Sequence, residues 1–377
     1  MSIIDCQLRD VVELAYGKSL PERNRKEGAV PVYGSGGIGG YHSVPLVEGP
    51  GVIVGRKGTV GSVYFEKNDF FPIDTVYFVR PFIEKISLEY SYYLLKNLPL
   101  ASLNSDAAVP GLNRDRAYSL PIRLPSLDQQ SRIVQFLRQY DDLIENNRRR
   151  IQLLEESARL LYQEWFVHLR FPGHEQVKIA DGVPEGWEPT LVPDVIHVNP
   201  RTPVEKGKEI WYVPMSSLSE TSMTANTADF ERRTKHTNVK FKKNDVLLAR
   251  ITPCLENGKT GYAYFLAEDE VACGSTEFIV LRGKRVPSEF VYCLARSYPF
   301  RENAIKSMTG SSGRQRVQNS CFDKYAVPLP PNSILDEFVE VVQNNFDQIR
   351  NLMAQNARLA KARDLLLPKL MSGELTV

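Results

Sequence analysis

SRIVQFLRQYDDLIENNRRRIQLLEESARLLYQEWFV, residues 131–167, decides how this chain is built. Its apolar or tolerated side chains fall at Ile133, Leu137, Tyr140, Ile144, Asn147, Ile151, Leu154, Ala158, Leu161 and Trp165. The steps alternate four and three without a break. That spacing holds one stripe on the same side of a helix along its whole length, as in the seam of a coiled coil. At 1.5 Å per residue, some 35–40 residues reach roughly 50–60 Å, so the spacing predicts a rod that begins after the stop at Pro125.

The pattern returns after Pro330-Pro331, at Phe338, Val342, Asn345, Ile349, Leu352, Asn356, Leu359, Arg363, Leu366 and Leu370. Both seams carry asparagine, which costs stability but pins register and partner. Each helix follows a segment rich in β-branched and aromatic residues, glycine and turn signals, residues 1–127 and 190–330. The two segments share an order of motifs. Gly51–Arg56 matches Asp245–Arg250, Asp74–Val79 matches Ser275–Val280, and Ala117–Pro121 matches Lys324–Pro328. Three matches in one order make an internal repeat. The expected fold is α+β: two β-rich domains in a pseudo-twofold arrangement, separated by two long antiparallel coiled-coil helices. The segments are 1–127 for the first domain, 128–170 for the first helix, 171–330 for a linker and second domain, and 331–377 for the second helix. Such an arrangement is a molecular ruler.

Composition narrows the function. The chain has 377 residues, a net charge of +2 and five cysteines with no C-x-x-C spacing, so reduced thiols in a cytoplasm are expected over zinc or disulfides. No run of about 18 apolar residues is present to cross a membrane, and Met1–Asp5 does not read as a signal peptide. The charge is uneven: residues 190–330 hold 20 basic and 15 acidic side chains, residues 1–127 hold 14 and 13. The histidines form no metal-spaced cluster. N/D-P-P-Y/F, the amino-methyltransferase motif, is missing, as is the G-x-x-x-x-G-K-[ST] phosphate loop. Gly34-Ser35-Gly36-Gly37-Ile38-Gly39 satisfies the dinucleotide fingerprint, but Tyr41-His42-Ser43-Val44-Pro45 puts a proline where the required helix would run. A flexible loop is expected there.

Ala158–Val167 with Phe171-Pro172-Gly173-His174-Glu175 resembles the central conserved region of type I restriction–modification specificity subunits. Gly182–Trp187 looks like that family's entry into its second recognition domain, and Leu365–Leu375 is similar to its distal helix ending. Pro31–Gly40 also recurs in its recognition domains. The resemblance covers the whole chain. It implies a non-catalytic, sequence-specific subunit that reads a bipartite, asymmetric site in double-stranded DNA, one half per domain. It further implies docking of two methyltransferase subunits, which bring S-adenosylmethionine, and of restriction subunits, which use ATP and magnesium; no cofactor is expected on this chain. A scaffold without DNA binding, such as a silent recombination cassette, is the alternative.

Recognition domains vary within such a family, so contacts are read from chemistry alone. DNA readers need lysine or arginine for phosphate, and arginine, asparagine or glutamine for base edges. The first domain offers two loops, one with Arg56 and Lys57, the other with Asn113, Arg114 and Arg116. The second offers Arg232, Arg233 and Lys235, and then Arg314, Gln315 and Arg316 in a loop expected to be the counterpart of the one at Gly111. Arg250 pairs with Arg56 through the repeat. Arg148-Arg149-Arg150 reads as a solvated helix face or a docking surface.

Overall fold

Both heptad stretches are helical. The first helix runs Leu127–Tyr162 and ends in a π-helical turn, Gln163–Val167; the second runs Asn332–Ser372. The computed structural model describes residues 3–103, 111–311 and 313–377. The chain divides into two compact units, Met1–Glu145 with Asn356–Val377, and Asn146–Gln355, so each helix contributes to both. This division cuts across the four linear segments expected from the sequence.

Of the seam residues, Ile133, Leu137, Ile144, Ile151, Phe338, Val342, Ile349 and Leu352 are buried. Tyr140, Leu154, Leu161, Leu359 and Leu366 are half-buried. Full burial of one such side chain is worth about 1.5–3 kcal/mol, which favours packing on this face. In the first unit the Asn356 amide donates to the Ile144 carbonyl at 3.3 Å, and Arg363 pairs with Asp141. In the second unit Asn345 donates to the Leu154 carbonyl at 3.2 Å. These pairings run the helices antiparallel within each unit, and the seam asparagines serve as cross-helix hydrogen-bond donors.

The two units share one plan. In the first, an antiparallel sheet orders its strands Val12–Tyr16, Val76–Pro81, Gly51–Gly55, Val63–Glu66. In the second, Ile196–Val198, Phe278–Gly283, Val246–Ala249 and Thr260–Tyr262 take the same order. Each unit adds a sheet with one parallel pair, Val30–Gly34 with Phe71–Pro72 and Ile210–Val213 with Val271–Gly274. Each closes with a two-stranded ribbon leading to its helix, Ile4–Gln7 with Pro121–Leu124 and Glu188–Leu191 with Ala326–Leu329.

Hydrogen bonds fix the equivalences. The Arg56 N–H donates to the Thr75 carbonyl at 2.9 Å, as the Arg250 N–H does to Glu277 at 2.9 Å. Leu112 donates to the Arg56 carbonyl at 2.8 Å, and Val317 to that of Arg250 at 2.9 Å. Arg56 and Arg250 are therefore equivalent, as expected. The other two matches need correction. Thr75 corresponds to Glu277, one residue away from the sequence match. The strands concerned are buried on both faces, so no alternation marks the register. In the ribbons Gln7 pairs with Pro121 while Leu191 pairs with Ala326, so Pro121 is equivalent to Ala326 and not to Pro328. Proline is tolerated at several points of an exposed ribbon and makes a poor register mark.

The glycine-rich stretch is a hairpin, not a flexible loop. Gly34 pairs with Gly37 across a two-residue turn, and Gly37 has φ +102°, open to glycine alone at little cost. The first unit's core gathers Leu8, Val52, Tyr90 and Leu94, and is completed by Leu367, Leu370 and Met371 from the second helix. In the second unit Tyr162, Trp165 and Phe166 pack on Phe290 and Phe338, and Phe171 packs on Trp187, so the aromatic motif ending the first helix works as core.

Candidate nucleic-acid interface

In the first unit the structure brings Arg56, Lys57, Asn113 and Arg114 together. An isolated bridge between Lys57 and Gly111 joins the two segments that carry them. Asn113 does not lie in a loop interior: its Oδ1 accepts from the Arg116 N–H at 3.0 Å and caps a short helix, Arg114–Tyr118. The Arg56 guanidinium lies 5.1 Å from the Tyr16 ring centroid and 5.9 Å from that of Tyr77. Arg114 lies 4.9 Å from the same Tyr16 ring and 5.8 Å from Tyr118. Neither guanidinium is paired with a carboxylate among the described residues. Cation–π contact restrains an arginine without cancelling its charge, which leaves the N–H edge for a phosphate or a guanine. Tyr77 donates to the Leu112 carbonyl at 3.3 Å, and burial with a hydrogen bond to Tyr16 pushes its phenol up to about 12, so the Tyr77 ring stays neutral. Lys57 and Arg116 are exposed.

The second unit places its cations differently. Arg250 donates to the Val317 carbonyl at 2.8 Å, which ties it into the framework. Arg316 pairs with Glu277 at 2.7 Å, with further bonds at 2.9 and 3.0 Å. Because Leu112 corresponds to Val317, Arg316 stands where Gly111 stands in the first unit. Asn113 then corresponds to Gln318, which N-caps the turn Asn319–Phe322. The counterparts of Arg314 and Gln315 thus lie outside the described residues. The two loops are counterparts, as expected, with Arg316 aligned to Gly111. Arg314 is exposed; the Gln315 carbonyl accepts from the Thr252 N–H at 3.1 Å.

Arg232 and Arg233 are not in a loop. They lie on an outer strand, Glu231–Arg233, paired with Ile210–Val213. A charged strand at a sheet edge discourages pairing with other chains, and in sequence it looks like a solvated loop. Arg232 sits 3.8 Å from the centroid of its cross-strand partner Trp211. Arg233 lies over Tyr212 at 3.3 Å and is paired with Glu231 at 2.6 Å. Lys235 is exposed just beyond. Sequence reasoning missed Tyr16, Tyr77, Trp211 and Tyr212, the aromatic seats of these arginines. Only strand register reveals such pairs.

Residues 5–156 and 184–359 match the family described as Type I restriction modification DNA specificity domain. The chain belongs to this family. Its two matched stretches each take in one β-rich domain and most of the helix that follows. The chain is 26% identical over 345 residues to the type I restriction enzyme MjaIX specificity subunit of Methanocaldococcus jannaschii, spanning 86% of this chain and 78% of that one. It is 31% identical over 156 residues to the EcoEI specificity subunit of Escherichia coli, a match spanning 40% of this chain and 26% of that one. A crystal structure of a type I restriction–modification S subunit from M. genitalium shares the fold, with a TM-score of 0.56 at 14% identity, over 98% of this chain and 96% of that one. Among the described residues no helix of this specificity-family chain is long and apolar enough to cross a membrane.

Proposed function

We propose that this member of the specificity family reads a bipartite, asymmetric site in double-stranded DNA, one half with each β-rich domain. One observation carries the reading: a single framework, duplicated down to its hydrogen bonds, presents cations from different elements in its two copies. Arg56 and Arg114 stand open on Tyr16, whereas the equivalent Arg250 is tied to Val317 and Arg316 to Glu277, so that of the candidate cations of the second copy Arg232, Lys235 and Arg314 are the ones left to face outward. Alike frames with unlike contacts read unlike half-sites. Arg56, Lys57, Asn113, Arg114 and Arg116 serve the first half. The helices carry the docking surface for two methyltransferase subunits and for restriction subunits, which hold S-adenosylmethionine, ATP and magnesium. This chain itself selects the site without catalysing a reaction, in the cytoplasm.

Selection of the full chain against random duplex DNA tests the reading. Two fixed half-sites separated by a spacer of fixed length are expected. Recovery of no motif would identify a scaffold or silent cassette. Methyl transfer from S-adenosylmethionine is expected only after a methyltransferase subunit is added, and turnover by the chain alone would overturn the assignment.

A further inference from the structure

The last turns of the first long helix and the helices Ser288–Arg296 and Tyr298–Lys306 enclose a pocket of about 230 Å³ within the second unit. Arg159 and Arg296 line it. The Arg296 side chain is 4% exposed; its Nη1 donates to the Glu220 and Gly258 carbonyls at 3.1 and 2.6 Å, while its Nε makes no hydrogen bond among the described residues. Glu155 lies 4.0 Å from that Nε, but its carboxylate already accepts from the Tyr292 hydroxyl at 2.5 Å and the Met223 N–H at 2.8 Å. Arg159, half-buried, makes no hydrogen bond or ion pair among the described residues, and its Nε is closed to solvent without an acceptor. Arg301 lies close enough that burial and then the charges of Arg296 and Arg159 lower its affinity for its proton. Of these three guanidiniums only that of Arg296 has a carboxylate within 4.0 Å among the described residues, and that carboxylate is already engaged.

An uncompensated charge held away from water costs several kcal/mol, and the remedy is an acceptor of opposite sign. Size limits what supplies it. The pocket holds more than a lone ion but falls below the roughly 300–1,000 Å³ of sites for larger cofactors. Its rim includes Leu160, 54% exposed, and Tyr298, 67% exposed, which favour a short carbon body. Glu156 at the lining repels a polyanion such as a DNA strand but tolerates a single anionic head. We propose that this pocket binds a small molecule with one oxyanionic head, phosphate or carboxylate, gripped by Arg159 and Arg296. None of the lining residues is among the proposed DNA contacts, and the site goes beyond the function proposed above.

Calorimetric titration of the full chain with inorganic phosphate and, separately, with acetate tests it. Saturable one-site binding of one anion below about 10 mM is expected, and which anion binds names the head group. Arg159→Gln removes a side chain that makes no hydrogen bond or ion pair among the described residues, so it is expected to fold, as circular dichroism would verify, and to bind about tenfold more weakly. Glu156→Gln is expected to tighten binding two- to threefold. Arg114→Gln, on the proposed DNA face, is expected to leave it unchanged. Binding by neither anion, or binding undiminished in Arg159→Gln, would overturn the proposal and leave the DNA reading intact.

Discussion

Each unit seats the backbone N–H of its framework arginine, Arg56 or Arg250, on a carbonyl that belongs to Thr75 in one copy and Glu277 in the other. Threonine leaves the neighbouring cations uncancelled, whereas the Glu277 carboxylate takes up Arg316. Arg114→Gln is therefore expected to weaken DNA binding about tenfold and to flatten the salt dependence by about one unit of slope. Glu277→Gln releases Arg316 and is expected to steepen it by a similar amount; equilibrium binding at several salt concentrations measures both. Elsewhere a carboxylate is structural. Glu155 is 2% exposed and holds the Tyr292 hydroxyl and the Met223 N–H. Glu155→Ala orphans two buried donors and is expected to cost about 3 kcal/mol in urea unfolding, with DNA sequence preference kept.

At the scale of elements, the seam asparagines trade stability for alignment. Asn345 donates to a Leu154 carbonyl that lies inside a helix and has its own backbone donor, so losing the amide orphans little. Asn345→Leu is expected to stabilise the chain by about 1 kcal/mol, read as a rise of roughly 2–4 °C in melting temperature. Lengthening both helices by seven residues, at Asn147 and at Gln355, preserves the heptad and adds about 10 Å. Selected sites are expected to keep their half-sites and gain about three base pairs of spacer; changed half-sites with an unchanged spacer would refute the ruler. Helices of this kind are legible because the four–three spacing must hold over many turns. Strands such as Gly51–Gly55 and Val246–Ala249 announce themselves, but they are buried on both faces and carry no mark of register, hence the one-residue error at Thr75. Glu231–Arg233 shows the opposite failure, its charge hiding an outer strand. The arginines were legible as cations, but their seats on Tyr16 and Trp211 were not, since those contacts join residues far apart in sequence.

At the scale of the whole molecule, the units differ in how the chain supplies them. Asn146–Gln355 is one continuous piece, whereas the other unit needs Asn356–Val377 to return to residues before Glu145. Expressed alone, residues 146–355 are expected to melt cooperatively; residues 1–145 alone lack Leu367, Leu370 and Met371 and are expected to bind a hydrophobic dye without a sharp transition. An exchange of the second recognition domain belongs outside the ribbon Glu188–Leu191 with Ala326–Leu329, which has to travel as a pair. The split supply also sets a timetable. On the ribosome, the unit begun first is finished last, because its closing side chains are made only after the entire other unit has been synthesised. Until then its apolar face stands open, a natural client for chaperones. A stop codon just after Gln355 would release a chain whose later half is sound and whose earlier half never closes.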